Sequence, residues 1–73
     1  MNARENQAQQ RPSDLKPLLV SVEKAADMLG IGRTLCYQLI ACGELESVVI
    51  RGRRLIPVAV LHAYIRRLME EAG

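Results

Sequence analysis

"SVEKAADMLGIGRTLCYQLIACGEL", residues 21–45, holds two apolar periodicities separated by a pair of glycines, and that interruption decides what the chain can become. In the first half Val22, Ala25, Ala26 and Leu29 recur at i, i+3, i+4 and i+7, the spacing of one helical face. Ser21 stands where an N-cap is wanted, and Glu23 lies in the first turn, where the helix dipole favours an anion. Gly30 supplies a residue able to take the left-handed conformation at the helix end. Lys24 occupies the place that a full capping box gives to Glu or Gln, so that device is incomplete. The pattern predicts a helix of about two turns, with small alanines where a neighbour can approach closely.

The second half begins with Ile31, an apolar plug between Gly30 and Gly32, and Gly32 is a serviceable but weak N-cap. From Arg33 the residues divide. Cys36, Leu39 and Ile40 share one face, with Gly43 ending the helix, while Thr34, Tyr37, Gln38 and Ala41 share the other. The second face is polar, long-reaching and free of acid. Two such helices joined by a glycine-containing turn read as a helix-turn-helix or as an ordinary αα-hairpin with a solvated outer side. The pair alone does not separate these.

Downstream, Glu44–Ser47 lead into "VVIRGRRLI", residues 48–56. Val48–Ile50 and Leu55–Ile56 are predicted strands around an Arg-Gly-Arg turn, in which Gly52 can take a positive φ. Pro57 suits the first turn of a further helix, whose apolar stripe is Val58, Leu61, Tyr64, Ile65 and Leu68. Helix, turn, helix, hairpin, helix is a winged-helix layout: mainly α with a small β-hairpin. Upstream, residues 1–17 ("MNARENQAQQRPSDLKP") are polar and offer almost nothing to bury. They are expected to form a flexible arm before a folded domain at 18–73. Arg4, Arg11 and Lys16 in that arm read as a solvated tail or as contacts to a polyanion.

Seventy-three residues make one small domain. A core of this size rarely nets more than roughly 3–5 kcal/mol. With Tyr37 and Tyr64 the only aromatic residues, that core must rest on Val, Leu, Ile and Ala. The net charge of +2, from 10 basic and 8 acidic residues, is too small to name a partner. Its distribution is more informative, because Arg51, Arg53 and Arg54 form a local basic patch with no acid among them, while Glu70 and Glu71 lie near the end.

Cys36 and Cys42, six apart on a predicted helix, are separated by about 9 Å of rise, too far for a bridge. They read as buried or partly buried free thiols in a reducing cytoplasm. No secretory h-region and no membrane-spanning run is present, so a soluble intracellular protein is expected. An enzyme is the least expected class. Asp14, Asp27 and His62 are the only Asp and His residues and form no acid-base or nucleophile set, and "GIG" lacks the third glycine and preceding strand of a dinucleotide motif. Two cysteines and one distant histidine fall short of a zinc site, and no cofactor is expected.

The run "SVEKAADMLGIGRTLCYQLIACGELESVVIRGRRLIPVAVLHAYI" resembles the small MerR-like winged-helix domains of the excisionase type, helix-turn-helix domain 17. The resemblance covers about residues 18–68. Its most telling parts are "EKAADMLGIGR", "YQLIACGEL" and "RRLIP", in that order and spacing. Two positions depart from the family pattern. Gly32 stands where the family commonly has Ser, and the wing glycine usually falls one position before Gly52.

In such a fold the second helix enters the DNA major groove with its early residues deepest. Arg33 and Thr34 are then the first candidates for base edges or adjacent phosphates, followed by Gln38, which suits adenine. Tyr37 is placed to donate its hydroxyl to a phosphate. Leu35, at the border of the two faces, can cover a thymine methyl or pack against the hairpin, with packing preferred. The wing residues Arg51, Gly52, Arg53 and Arg54 would flank the helix and meet the backbone or a minor groove, although edge arginines also serve merely to keep a hairpin soluble. Arg54 has a further option, turning back to Glu44 or Glu46. On the last helix His62, Arg66 and Arg67, with Met69, Glu70 and Glu71 beyond, read as a solvated end in preference to a protein contact.

One copy neutralising about four phosphates would lose roughly a hundredfold in affinity between about 50 and 200 mM salt. Occupancy is therefore expected to need neighbouring copies of the chain or a partner already on the DNA. The resemblance implies the same: a recombination directionality factor that binds and bends attachment-site DNA and helps a phage or integrative-element integrase choose excision, with no covalent chemistry of its own. The partners it implies are double-stranded DNA, an integrase and neighbouring copies, with no membrane and no small-molecule effector. It implies a place in the bacterial cytoplasm, on the nucleoid when bound. No effector or coiled-coil domain is expected after Gly73. A transcriptional regulator of the same fold, or a protein-interaction module that no longer binds DNA, are the rival expectations.

Overall fold

The structure, a computed structural model, describes residues 15–72; the arm expected over 1–17 falls for residues 1–14 outside the described residues. In chain order the elements are β1 (Leu19–Ser21), α1 (Val22–Leu29), α2 (Arg33–Ala41), β2 (Val48–Ile50), β3 (Arg53–Pro57) and α3 (Val58–Ala72). The winged helix-turn-helix layout is therefore present, with one element more than the sequence suggested. Strand β1 pairs antiparallel with β3, Val20 opposite Ile56, so the expected hairpin is part of a three-stranded sheet. The hairpin's second strand is also longer than Leu55–Ile56, because the turn is only Arg51–Gly52 and the ladder resumes at Arg53. Pro57 closes that strand instead of opening the helix, which starts at Val58; the Val58 N–H donates to the Leu18 carbonyl at 2.9 Å.

Both ends of α1 follow from its residues. The Ser21 hydroxyl accepts from the Lys24 N–H at 3.0 Å, and Gly30 takes φ +74°. Ile31 N–H reaches back to the Ala26 carbonyl and Gly30 N–H to that of Asp27, the doubly bonded C-terminal motif that a left-handed glycine permits. The same motif ends α2: Gly43 has φ +85°, with Gly43 N–H on Ile40 and Glu44 N–H on Leu39. In both cases the left-handed residue turns the chain sharply back toward the body.

The core comprises Val20, Val22, Ala25, Ala26, Cys36, Leu45, Ile56 and Leu61. Ala25 and Ala26 are fully or almost fully buried, as expected of small residues at a close helix contact. Leu45 joins this core without any periodic pattern to mark it. It stands alone in the polar run "GELES", yet it is 1% exposed and among the largest fully buried side chains. Its N–H and that of Glu44 both donate to the Leu39 carbonyl, at 3.1 and 2.9 Å. The connection between α2 and β2 is thus pegged into the core and fixes where the hairpin lies relative to α2.

Three further expectations need correction. Cys36 is buried, and burial followed by the charge of Glu23 pushes its thiol up. Cys42, however, is exposed, because α2 stops at Ala41 and position 42 turns outward; both thiols are free. On α3 only Leu61 is buried, whereas Ile65 and Leu68 remain 40% and 43% exposed because the helix outruns the body it packs on. Leu35, for which packing against the hairpin is preferred over covering a thymine methyl, turns to the helices instead. It lines, with Met28, Ile65 and Leu68, an apolar groove of about 430 Å³ between the helices.

Candidate nucleic-acid interface

Helix α2 presents Thr34, Tyr37, Gln38 and Ala41 on its exposed side, as their spacing requires, while Cys36 anchors the opposite side. No acid lies in its first turn and Gly32 makes no side-chain cap, so the leading backbone N–H groups have no side-chain acceptor from that cap. Arg33, at the head of the helix, is not isolated. Its Nε lies 3.2 Å from Glu23 Oε2 on α1, and its guanidinium carbon lies 5.6 Å from the centroid of the Tyr37 ring. That pair joins residues from both helices across the turn, a link that periodicity along either helix could not show.

The hairpin is connected to α2 through residues 42–47, held from three directions. Leu45 enters the core, Arg67 Nη2 on α3 donates to Glu44 Oε1 at 2.8 Å, and Arg54 Nη1 donates to Ser47 Oγ at 2.7 Å. Arg67, expected on a solvated helix end, is therefore a clamp, stacked 5.4 Å from the Tyr64 ring centroid. Arg54 does turn back toward this connection, but to a hydroxyl; the carboxylate of Glu44 is already engaged by Arg67.

Side-chain alternation separates the wing arginines. Arg54 lies opposite Val49 and two residues from buried Ile56, so it projects on the sheet face that carries the core. Arg53, opposite Ile50, projects on the other face with Val48. Arg51 occupies the tip. All three are exposed, and among the described residues none is paired with a carboxylate. A two-sided basic hairpin thus follows α2, rather than three parallel side chains.

The tip itself is strained. Arg51 has φ +51° and Gly52 φ +81°, the double positive that a two-residue type I′ turn demands. Glycine accepts this freely, but an arginine there costs about 1 kcal/mol. Asn is the preferred first residue of such turns. Arg51→Asn should therefore stabilise the fold by up to about 1 kcal/mol, raising the melting temperature by roughly 4–8 °C in calorimetry.

A family profile described as a helix-turn-helix domain matches residues 19–69. The chain belongs to that family. Helix-turn-helix domains are a class of DNA-binding element. It is 46% identical over 54 residues to a protein of Saccharopolyspora erythraea described as a probable excisionase, a match spanning 74% of this chain and 55% of the relative. The chain thus covers about half the length of that curated relative. No solved structure gives a significant match. Within the helix-turn-helix domain, α1 and α2 are the two helices and Gly30–Gly32 the turn, which gives α2 the position of the recognition helix. No helix of the described residues is long and apolar enough to cross a membrane.

Proposed function

We propose that this protein binds double-stranded DNA with α2 in the major groove and the β2–β3 hairpin alongside, and that it acts as an excision factor. The observation that carries this reading is the acid-free outer face of α2, followed through a firmly pinned connection by a hairpin whose arginines have no carboxylate partner among the described residues. Thr34 and Gln38 read base edges and Tyr37 donates to a phosphate, as does the uncapped head of α2. Arg51 and Arg53 grip the backbone or a minor groove, while Arg54 divides its donors between Ser47 and the DNA. Gly52 gives the tip the turn that presents them.

Similarity to a probable excisionase supports the further reading. Several copies on neighbouring sites in attachment DNA, together with an integrase, would shift recombination toward excision. A single module covers only about 600–1,000 Å², which favours shared occupancy over lone binding. The place of action is the bacterial cytoplasm, on the nucleoid. The decisive assay joins an integrase, a plasmid bearing its paired attachment sites and this protein at increasing concentration. Excision should depend on the protein. Equal excision without it, with duplex binding intact, would reassign the chain to transcriptional regulation.

A further inference from the structure

We propose that Glu23 is a positioning residue for DNA specificity: its carboxylate on α1 holds Arg33 by Nε, so that the two Nη groups are presented together to one base. This rests on the DNA-binding reading above. Arg33 Nε lies 3.2 Å from Glu23 Oε2, and the carbon of the same guanidinium lies 5.6 Å from the centroid of the Tyr37 ring. Among the described residues no acceptor is engaged by either Nη, so the pair of donors that matches guanine O6 and N7 remains available.

Both partners are well exposed, their side chains 68% and 55% accessible, so the ion pair contributes little to stability. Its value lies in orientation. An unrestrained arginine loses rotamer freedom on reading a base, and a pre-held one has less to lose. Charge gives the contact a second role. Arg33 opens a helix whose dipole disfavours a cation there, and α2 supplies no acid in its first turn. Glu23 supplies the missing negative charge from the neighbouring helix. A carboxylate so placed also repels phosphates, which weakens indiscriminate backbone binding at the position where Arg33 meets a base.

The whole chain is tested by selection from a duplex library with a randomised 20-base-pair centre, comparing wild type with Glu23→Gln, Arg33→Gln and the double variant. Glu46→Gln removes the same charge from an exposed carboxylate that pairs with no base among the described residues, and serves as the control. Glu23→Gln should lose about tenfold of discrimination at a single base position. That position should be the one flattened by Arg33→Gln, with no further loss in the double variant, while affinity for heterogeneous DNA rises. Glu23→Asp keeps the charge but shortens its reach by one methylene, and should lose the same position if Glu23→Gln fails to fold. Unchanged preference in a folded Glu23 variant overturns the proposal, as does a loss spread evenly over all positions as in Glu46→Gln. Failure of the wild type itself to retain any duplex overturns the DNA-binding reading, and this inference with it.

Discussion

Replacing Leu45 with alanine should leave the protein largely unfolded at physiological temperature. Leu→Ala at a fully buried site costs about 2–5 kcal/mol, the higher figures where the surroundings cannot collapse into the space. A domain of this length holds roughly 3–5 kcal/mol in total. Leu45 is 1% exposed, and its backbone is tied to Leu39, so neither the side chain's neighbours nor the chain can easily close the gap. Leu35→Ala is the matched comparison, because that side chain is 45% exposed. Urea titration followed by circular dichroism should show a folded baseline for Leu35→Ala and little or none for Leu45→Ala. A Leu45→Ala protein with wild-type midpoint would mean that the α2–β2 connection is held by its polar contacts alone.

Stripping the wing of charge, with Arg51→Asn and Arg53→Gln together, should change the salt response as well as the affinity of duplex binding. Each phosphate contact adds about −0.9 to the slope of log affinity against log salt. If about four contacts become two, the penalty between roughly 50 and 200 mM salt falls from about a hundredfold to about tenfold. Affinity at low salt should drop on the order of a hundredfold, and the loss should be similar for every duplex sequence, since backbone contacts carry no base information. Arg54 is left in place because it braces Ser47, and its removal would confound charge with hairpin geometry. Binding that is unchanged and indifferent to salt would remove the hairpin from the interface and favour a protein-interaction module.

The parts legible in the sequence are those set by near neighbours. Ser21 and Gly30 bound α1 because a hydroxyl and a missing Cβ act within a few residues, and the outward face of α2 follows from its period. What escaped reading depends on partners far along the chain. "LVS" is too short to declare itself a strand, and it becomes β1 only because Leu55–Pro57 lie beside it. Leu45 shows no periodicity, so its burial is decided by the fold around it. The stripe Leu61, Tyr64, Ile65 and Leu68 correctly marks one face of α3, but periodicity says nothing about how far the opposing surface extends. Of the candidate site, the residue types and faces of α2 were readable. The Glu23–Arg33 link and the Arg54–Ser47 brace were not, because each joins residues of different elements. The one available hint was that α2 begins with a cation and no acid while α1 opens with an exposed Glu.

The strand order β1–β3–β2 places the last strand synthesised in the middle of the sheet. Leu19–Ser21 and Val48–Ile50 have no strand to pair with until Arg53–Pro57 arrives between them. A nascent chain that ends before Arg53 therefore carries no ladder at all, and the sheet forms only once this last strand has been made. Any scheme that divides the protein between α2 and the hairpin, for reassembly from fragments, keeps the β2–β3 pairing in one piece and leaves Leu19–Ser21 without a partner strand until the pieces are reunited.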